Sequence, residues 1–124
     1  MLTSERKLCK LFIKFLEWDK IKKAEFLVQT YPNLQMPWQK AFEIAGLNNS
    51  FIACKWIYDN TKVPLDIHFK ADALILNLVT RGFTDFIKWL VMLEPIYSWK
   101  NKVESNKDGT SSKIREDVLQ LLDL

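Results

Sequence analysis

A chain of 124 residues accommodates one domain, or one domain and a tail. Its 48% hydrophobic and 27% charged residues form a globular rather than a disordered balance, and 3 Gly with 4 Pro are too few for a turn-rich β-sandwich. The net charge of +3 is uneven: residues 1–23 hold seven Lys/Arg against Glu5, Glu17 and Asp19, or +4, and the remainder sums to −1. The longest uninterrupted apolar run, 89–93, has five residues, far from the roughly 18 that a membrane-crossing helix needs. The first residues carry no signal-peptide core. These features exclude a membrane role and lead us to expect an intracellular protein (cytoplasm, nucleus or virion) whose Cys9 and Cys54 stay reduced and packed.

Helical spacing begins at residues 5–17, where Leu8, Leu11, Phe12, Phe15 and Leu16 share one side and Lys7, Lys10 and Lys14 another; Ser4 is the expected N-cap. A second helix is expected from about 20 to 30 on Ile21, Ala24, Leu27 and Val28, stopped by Pro32. Pro37 suits the first position of a helix over 38–47 carrying Trp38, Ala41, Phe42 and Ala45. After Asn48-Asn49-Ser50, with Ser50 as cap, a helix is expected over 51–59 through Ile52, Ala53, Trp56 and Ile57. The alternation Leu65-Asp66-Ile67-His68-Phe69 reads as a short extended segment. Helices follow at 71–80 and, with Thr84 as cap, at 84–93, before Pro95. Residues 99–111 read as a polar loop, and 112–122 as a last amphipathic helix on Ile114, Val118, Leu121 and Leu122. The expected fold class is all-α, in short helix-turn-helix pairs.

Those pairs repeat. A shift of 33 places Lys55-Trp56-Ile57 on Lys88-Trp89-Leu90, Ala41, Phe42 and Ala45 on Leu74, Ile75 and Leu78, and Asn49 on Gly82. A shift of 30 places Phe12 on Phe42, Phe26 on Trp56 and Asp19 on Asn49. Asn and Gly adopt the left-handed backbone most readily, as a tight turn between two helices requires. In this register Phe26, Trp56 and Trp89 are equivalent, and we expect them in the core between units.

A period near 33 with two short helices is that of ankyrin repeats, and near 34 it is also that of tetratricopeptide repeats; the residues of 41–60 and 66–93 resemble the divergent ankyrin repeats of giant DNA viruses and some amoebae. The resemblance implies an ankyrin-like solenoid of about three units over 1–98, with the C-terminal helix of 112–124 packed on it as a cap. It also implies binding through loop tips and inner helices. Carried onto this sequence, that selects Trp38 beside the connection at 33–36, and Asp66, His68, Lys70 and Asp72 at the next junction. Trp99, outside the repeat register, joins them as a candidate anchor, with packing as the competing role for both Trp38 and Trp99.

Catalytic chemistry has little to work with. His68 is the sole histidine, with Asp66 two residues away and Cys54 the conceivable nucleophile; a metal site or phosphate loop has no matching spacing. No enzyme activity, cofactor or metal is therefore expected. The leading expectation is a non-enzymatic protein–protein interaction module, an adaptor or accessory subunit of a larger assembly. The alternative is a nucleic-acid-binding accessory protein using the basic patch Lys7, Lys10, Lys14, Lys20, Lys22 and Lys23. Three units are near the minimum for a stable stack, which leaves self-association or docking in a larger complex open.

Overall fold

A computed structural model describes residues 2–105 together with Glu116 and Gln120, both helical. Over residues 2–105 there are seven helices, and no described residue is in a strand: α1 (Leu2–Glu17), α2 (Ile21–Thr30), α3 (Trp38–Leu47), α4 (Phe51–Asn60), α5 (Phe69–Arg81), α6 (Thr84–Leu93) and α7 (Trp99–Ser105). The all-α expectation therefore holds, and no helix among these residues is long and apolar enough to cross a membrane. The chain divides into two compact units, Met1–Asp66 and Ile67–Leu124. The expected helix at 112–122 lies outside the described residues apart from those two positions.

The N-terminal unit is built from two antiparallel helical hairpins, α1/α2 and α3/α4, with α3 packed on α1. Its core follows from the sequence periodicity. Phe12 and Leu16 of α1, Ala24 and Leu27 of α2, Ala41, Phe42 and Ala45 of α3, and Ala53, Cys54 and Ile57 of α4 are all at most 5% exposed. In the C-terminal unit α5 and α6 form a third hairpin and α7 packs on α5. Leu74, Ile75, Leu78, Val79, Phe86, Ile87 and Leu90 supply its core.

The three hairpins turn in the same way. Asp19, Asn49 and Gly82 all take a left-handed backbone, with φ of 58°, 63° and 73°. At each turn the next N–H reaches back five residues: Lys20 donates to the Phe15 carbonyl (2.6 Å), Ser50 to Ala45 (2.9 Å) and Phe83 to Leu78 (3.1 Å). The N–H groups of Asp19, Asn49 and Gly82 donate to Leu16, Gly46 and Val79 at 3.3, 3.0 and 3.2 Å. Paired bonds of this kind satisfy the last carbonyls of the first helix and start the second almost without a linker. Positions 19, 49 and 82, aligned in the sequence at shifts of 30 and then 33, thus share one backbone turn.

Several local expectations change. Ser4 lies inside α1 rather than capping it. Pro37 is the residue before α3, not its first member. Ser50 precedes α4 as expected but makes no side-chain cap bond, and the residue before α6 is Phe83 rather than Thr84. The alternation at 65–69 forms no strand. It is a turn entering α5, because Asp66 is tied down by Gln39 while Ile67 and Phe69 are buried. Part of the expected polar loop, 99–105, is helix α7, since Trp99 and Val103 at i and i+4 are both buried. The apolar pair outweighs the polar composition around it.

Candidate functional site

The two tryptophans proposed as anchors are both buried. Trp38, 3% exposed, opens α3 edge-on to Phe12, with ring centroids 5.2 Å apart and planes at 81°. Trp56 completes this group, 5.9 Å from Trp38 and 6.2 Å from Phe12. Packing, not contact with a partner, accounts for Trp38, because the ring fills the space where two hairpins meet. Trp99 is 2% exposed and its indole Nε1–H donates to the Glu94 carbonyl at 2.8 Å. A satisfied N–H on a buried ring again describes a packed tryptophan. Among the residues expected in the core between units, Trp56 and Trp89 are half-buried and Phe26 is 65% exposed.

Asp66 is exposed at the end of the N-terminal unit, where Gln39 grips its backbone from both sides. The Gln39 side chain donates to the Asp66 carbonyl at 3.0 Å, and the Asp66 N–H donates to Gln39 Oε1 at 2.7 Å. Lys70 is exposed. The basic residues Lys7, Lys10 and Lys14 line one side of α1, and Lys20, Lys22 and Lys23 follow at the turn and on α2; all six are exposed.

His68, Asp72 and Trp99 do come together, within the C-terminal unit. The first turn of α5 is left-handed at Lys70, Ala71 and Asp72, with φ of 51°, 56° and 65°. For residues other than glycine this costs roughly 1–2 kcal/mol each, so other contacts must hold it. Asp72 supplies them. Its N–H donates to the His68 carbonyl at 3.1 Å, and its carboxylate, 3% exposed, meets three side chains. His68 Nδ1 lies 2.5 Å from Oδ1, the Tyr97 hydroxyl donates to Oδ2 at 2.7 Å, and Lys102 Nζ is 3.4 Å from the same oxygen. The second imidazole nitrogen, Nε2, is bonded to the Glu94 carboxylate. The ring meets both Tyr97 and Trp99, at centroid distances of 4.0 and 5.0 Å, and those two rings touch each other edge-on at 4.8 Å, so the three form a triangle.

Charge explains the protonation of this cluster. Burial alone disfavours the imidazolium, but hydrogen bonds and charge from Glu94 and Asp72 outweigh it and hold the His68 pKa above its ordinary 6.5. Burial would raise Asp72; bonds from Tyr97, His68 and Lys102 reverse that and hold its carboxyl below the usual carboxylate range. Tyr97 is pushed up to about 12, first by its bond to Asp72 and then by burial. With His68 protonated, two cations face two carboxylates and the cluster is neutral.

Sequence reading selected His68 and Asp72 but paired the ring with the wrong carboxylate. The ring bonds Asp72, four residues on, and Glu94, 26 residues on. Glu94, Tyr97 and Lys102 were missed, since nothing in their local pattern announces a long-range contact; only the i, i+4 spacing of His68 and Asp72 was readable. Chemically, both imidazole nitrogens are occupied by carboxylates, which suits a charge-assisted clasp tying the segment after α6 to α5. Cys54, the conceivable nucleophile, is fully buried with its thiol directed at the Phe42 carbonyl (3.8 Å), and burial raises its pKa, opposing the thiolate. Among the described residues no cluster of His, Cys, Asp and Glu has metal-holding geometry. No family model, curated protein or solved structure matches this chain.

Proposed function

We propose that the protein is a non-enzymatic protein–protein interaction module, an ankyrin-like stack of helical hairpins acting as an adaptor or accessory subunit. The observation that supports it best is the repeated hairpin turn at Asp19, Asn49 and Gly82, with the same backbone bonds at each. Repeated hairpins expose a long, regular surface for their length and leave the end hairpins uncovered, which is the geometry of binding scaffolds. The saturated His68 ring and the sequestered Cys54 thiol fit a structural rather than a catalytic use of those residues. The two cysteines are unpaired, which suits a reducing compartment.

The nucleic-acid alternative rests on the six exposed lysines. Within the α1/α2 hairpin, however, Lys22 and Lys23 border apolar rings rather than forming an all-polar stripe, and a phosphate backbone offers nothing to cover such rings. Affinity capture with the full chain, followed by mass spectrometry at low and high salt, tests the reading. Protein partners retained at high salt are expected. Recovery of nucleic acid alone, lost as salt rises, would overturn it.

A further inference from the structure

The repeat register shows which face of a hairpin is normally covered, and in the first hairpin that face is open. Leu11 is 39% exposed where its equivalents Ala41 and Leu74 are 1% and 0%. Phe26 is 65% exposed where Trp56 and Trp89 are half-buried. Position 23 is an exposed lysine where Ala53 and Phe86 are 0% and 2% exposed. These positions are not scattered. Leu11, Phe15, Lys22, Lys23, Phe26 and Leu27 line one groove of about 440 Å³ between α1 and α2. The ammonium of Lys23 lies 5.8 Å from the centre of the Phe15 ring. Trp18, 71% exposed, continues the Leu11 side of α1: its N–H still donates to the Lys14 carbonyl at 3.1 Å, so it follows Leu11 at i+7 on one stripe.

From this geometry we propose that the α1/α2 groove is a docking site for an acidic amphipathic helix of a partner protein. The inference rests on the interaction-module reading and specifies its surface and partner. Helices seat on helical pairs by laying side-chain ridges into such grooves, so an apolar stripe at i, i+3, i+4 and i+7 fits the floor of Leu11, Phe15, Phe26 and Leu27. The charge selects the flank. Among the described residues Lys14, Lys20, Lys22 and Lys23 make no ion pair with a carboxylate. An occupant that covered Lys23 without a carboxylate would leave a cation desolvated and unpaired, which is strongly unfavourable. A second copy of this chain using the same face would set lysines against lysines across the twofold. A polyanion would satisfy the lysines and leave the aromatic floor wet.

The experiment uses the full chain as bait against a yeast-displayed library of 18-residue helical peptides, with Phe26→Asp and the double variant Lys22→Glu/Lys23→Glu alongside. These side chains are exposed, so both variants are expected to stay folded, and circular dichroism of each checks this before binding is compared. Enriched peptides are expected to combine the apolar stripe with Asp or Glu beside it. Their affinity should fall at least about tenfold in either variant, as for an aromatic anchor or its charged flank, and several-fold more on added salt. No enrichment, or enrichment indifferent to both variants, overturns the proposal. So does binding to phosphatidylserine vesicles or a wild-type dimer, if Phe26→Asp abolishes it. Cellular protein partners retained equally by wild type and both variants would remove this surface while leaving the interaction reading intact. Absence of any protein partner on wild type would remove the reading itself.

Discussion

The two units contain aromatic clusters that look alike in composition and differ in what holds them. Phe12, Trp38 and Trp56 in the N-terminal unit meet as rings alone. His68, Tyr97 and Trp99 in the C-terminal unit stack around a buried carboxylate and are tied by ionisable groups. Burial of apolar area does not depend on pH, whereas a clasp of imidazolium and carboxylates exists only while each holds its charge. Both units have an apolar core, but the two clusters are held by different means and should fail under different conditions.

The largest expected effect sharpens the apolar side of that contrast. Trp38→Ala should destabilise the N-terminal unit by about 3–5 kcal/mol, the range for a buried large aromatic, and Trp56→Ala, half-buried, by less. Urea unfolding followed by tryptophan fluorescence at several pH values measures both, and the loss should not vary with pH, because neither Phe nor Trp is among the side chains that titrate. Equal losses for the two would mean that their difference in burial does not matter.

The C-terminal cluster should behave in the opposite manner. The folded-state pKa of His68 is raised, so its contribution is complete below the ordinary imidazole value of 6.5 and disappears as pH climbs through the raised value. That of Asp72 is lowered, so its contribution is complete above the ordinary 3.8 and is lost as pH falls through the depressed value. Stability of this unit should therefore be greatest between 3.8 and 6.5. Amide hydrogen exchange of residues 94–103 against pH reads it directly. In His68→Gln the alkaline decline should vanish; its persistence would show that another group governs it.

Two smaller effects test the repeated turn and the open face. Gly82→Ala places a Cβ in a left-handed position and should cost about 1–2 kcal/mol; a neutral result would mean that the turn relaxes at no cost. Phe26→Ala should change stability by less than about 0.5 kcal/mol, as for an exposed side chain outside the core. A large loss would return Phe26 to the core that its repeat position suggests and close the proposed groove.

How much of this was readable in the residues depends on distance along the chain. Helix spans, the all-helical class and the equivalence of positions 19, 49 and 82 came from local apolar spacing and from residues that tolerate a left-handed backbone. Such preferences act within a few residues and survive in a bare sequence. The composition of 99–105 misled, because two buried side chains at i and i+4 outweigh polar neighbours. Trp38 and Trp99 could not be placed from sequence, since a tryptophan ending in a core and one ending at a binding surface look the same there.

By itself, then, the sequence determined the period, the hairpins and their turns, because 3.6-residue periodicity and left-handed tolerance are local properties of the chain. The tertiary structure alone decided which faces are covered and which carboxylates His68 meets. Burial and ion pairing join residues as far apart as His68 and Glu94, and their free energies exist only once packing has excluded water and brought the charges within reach.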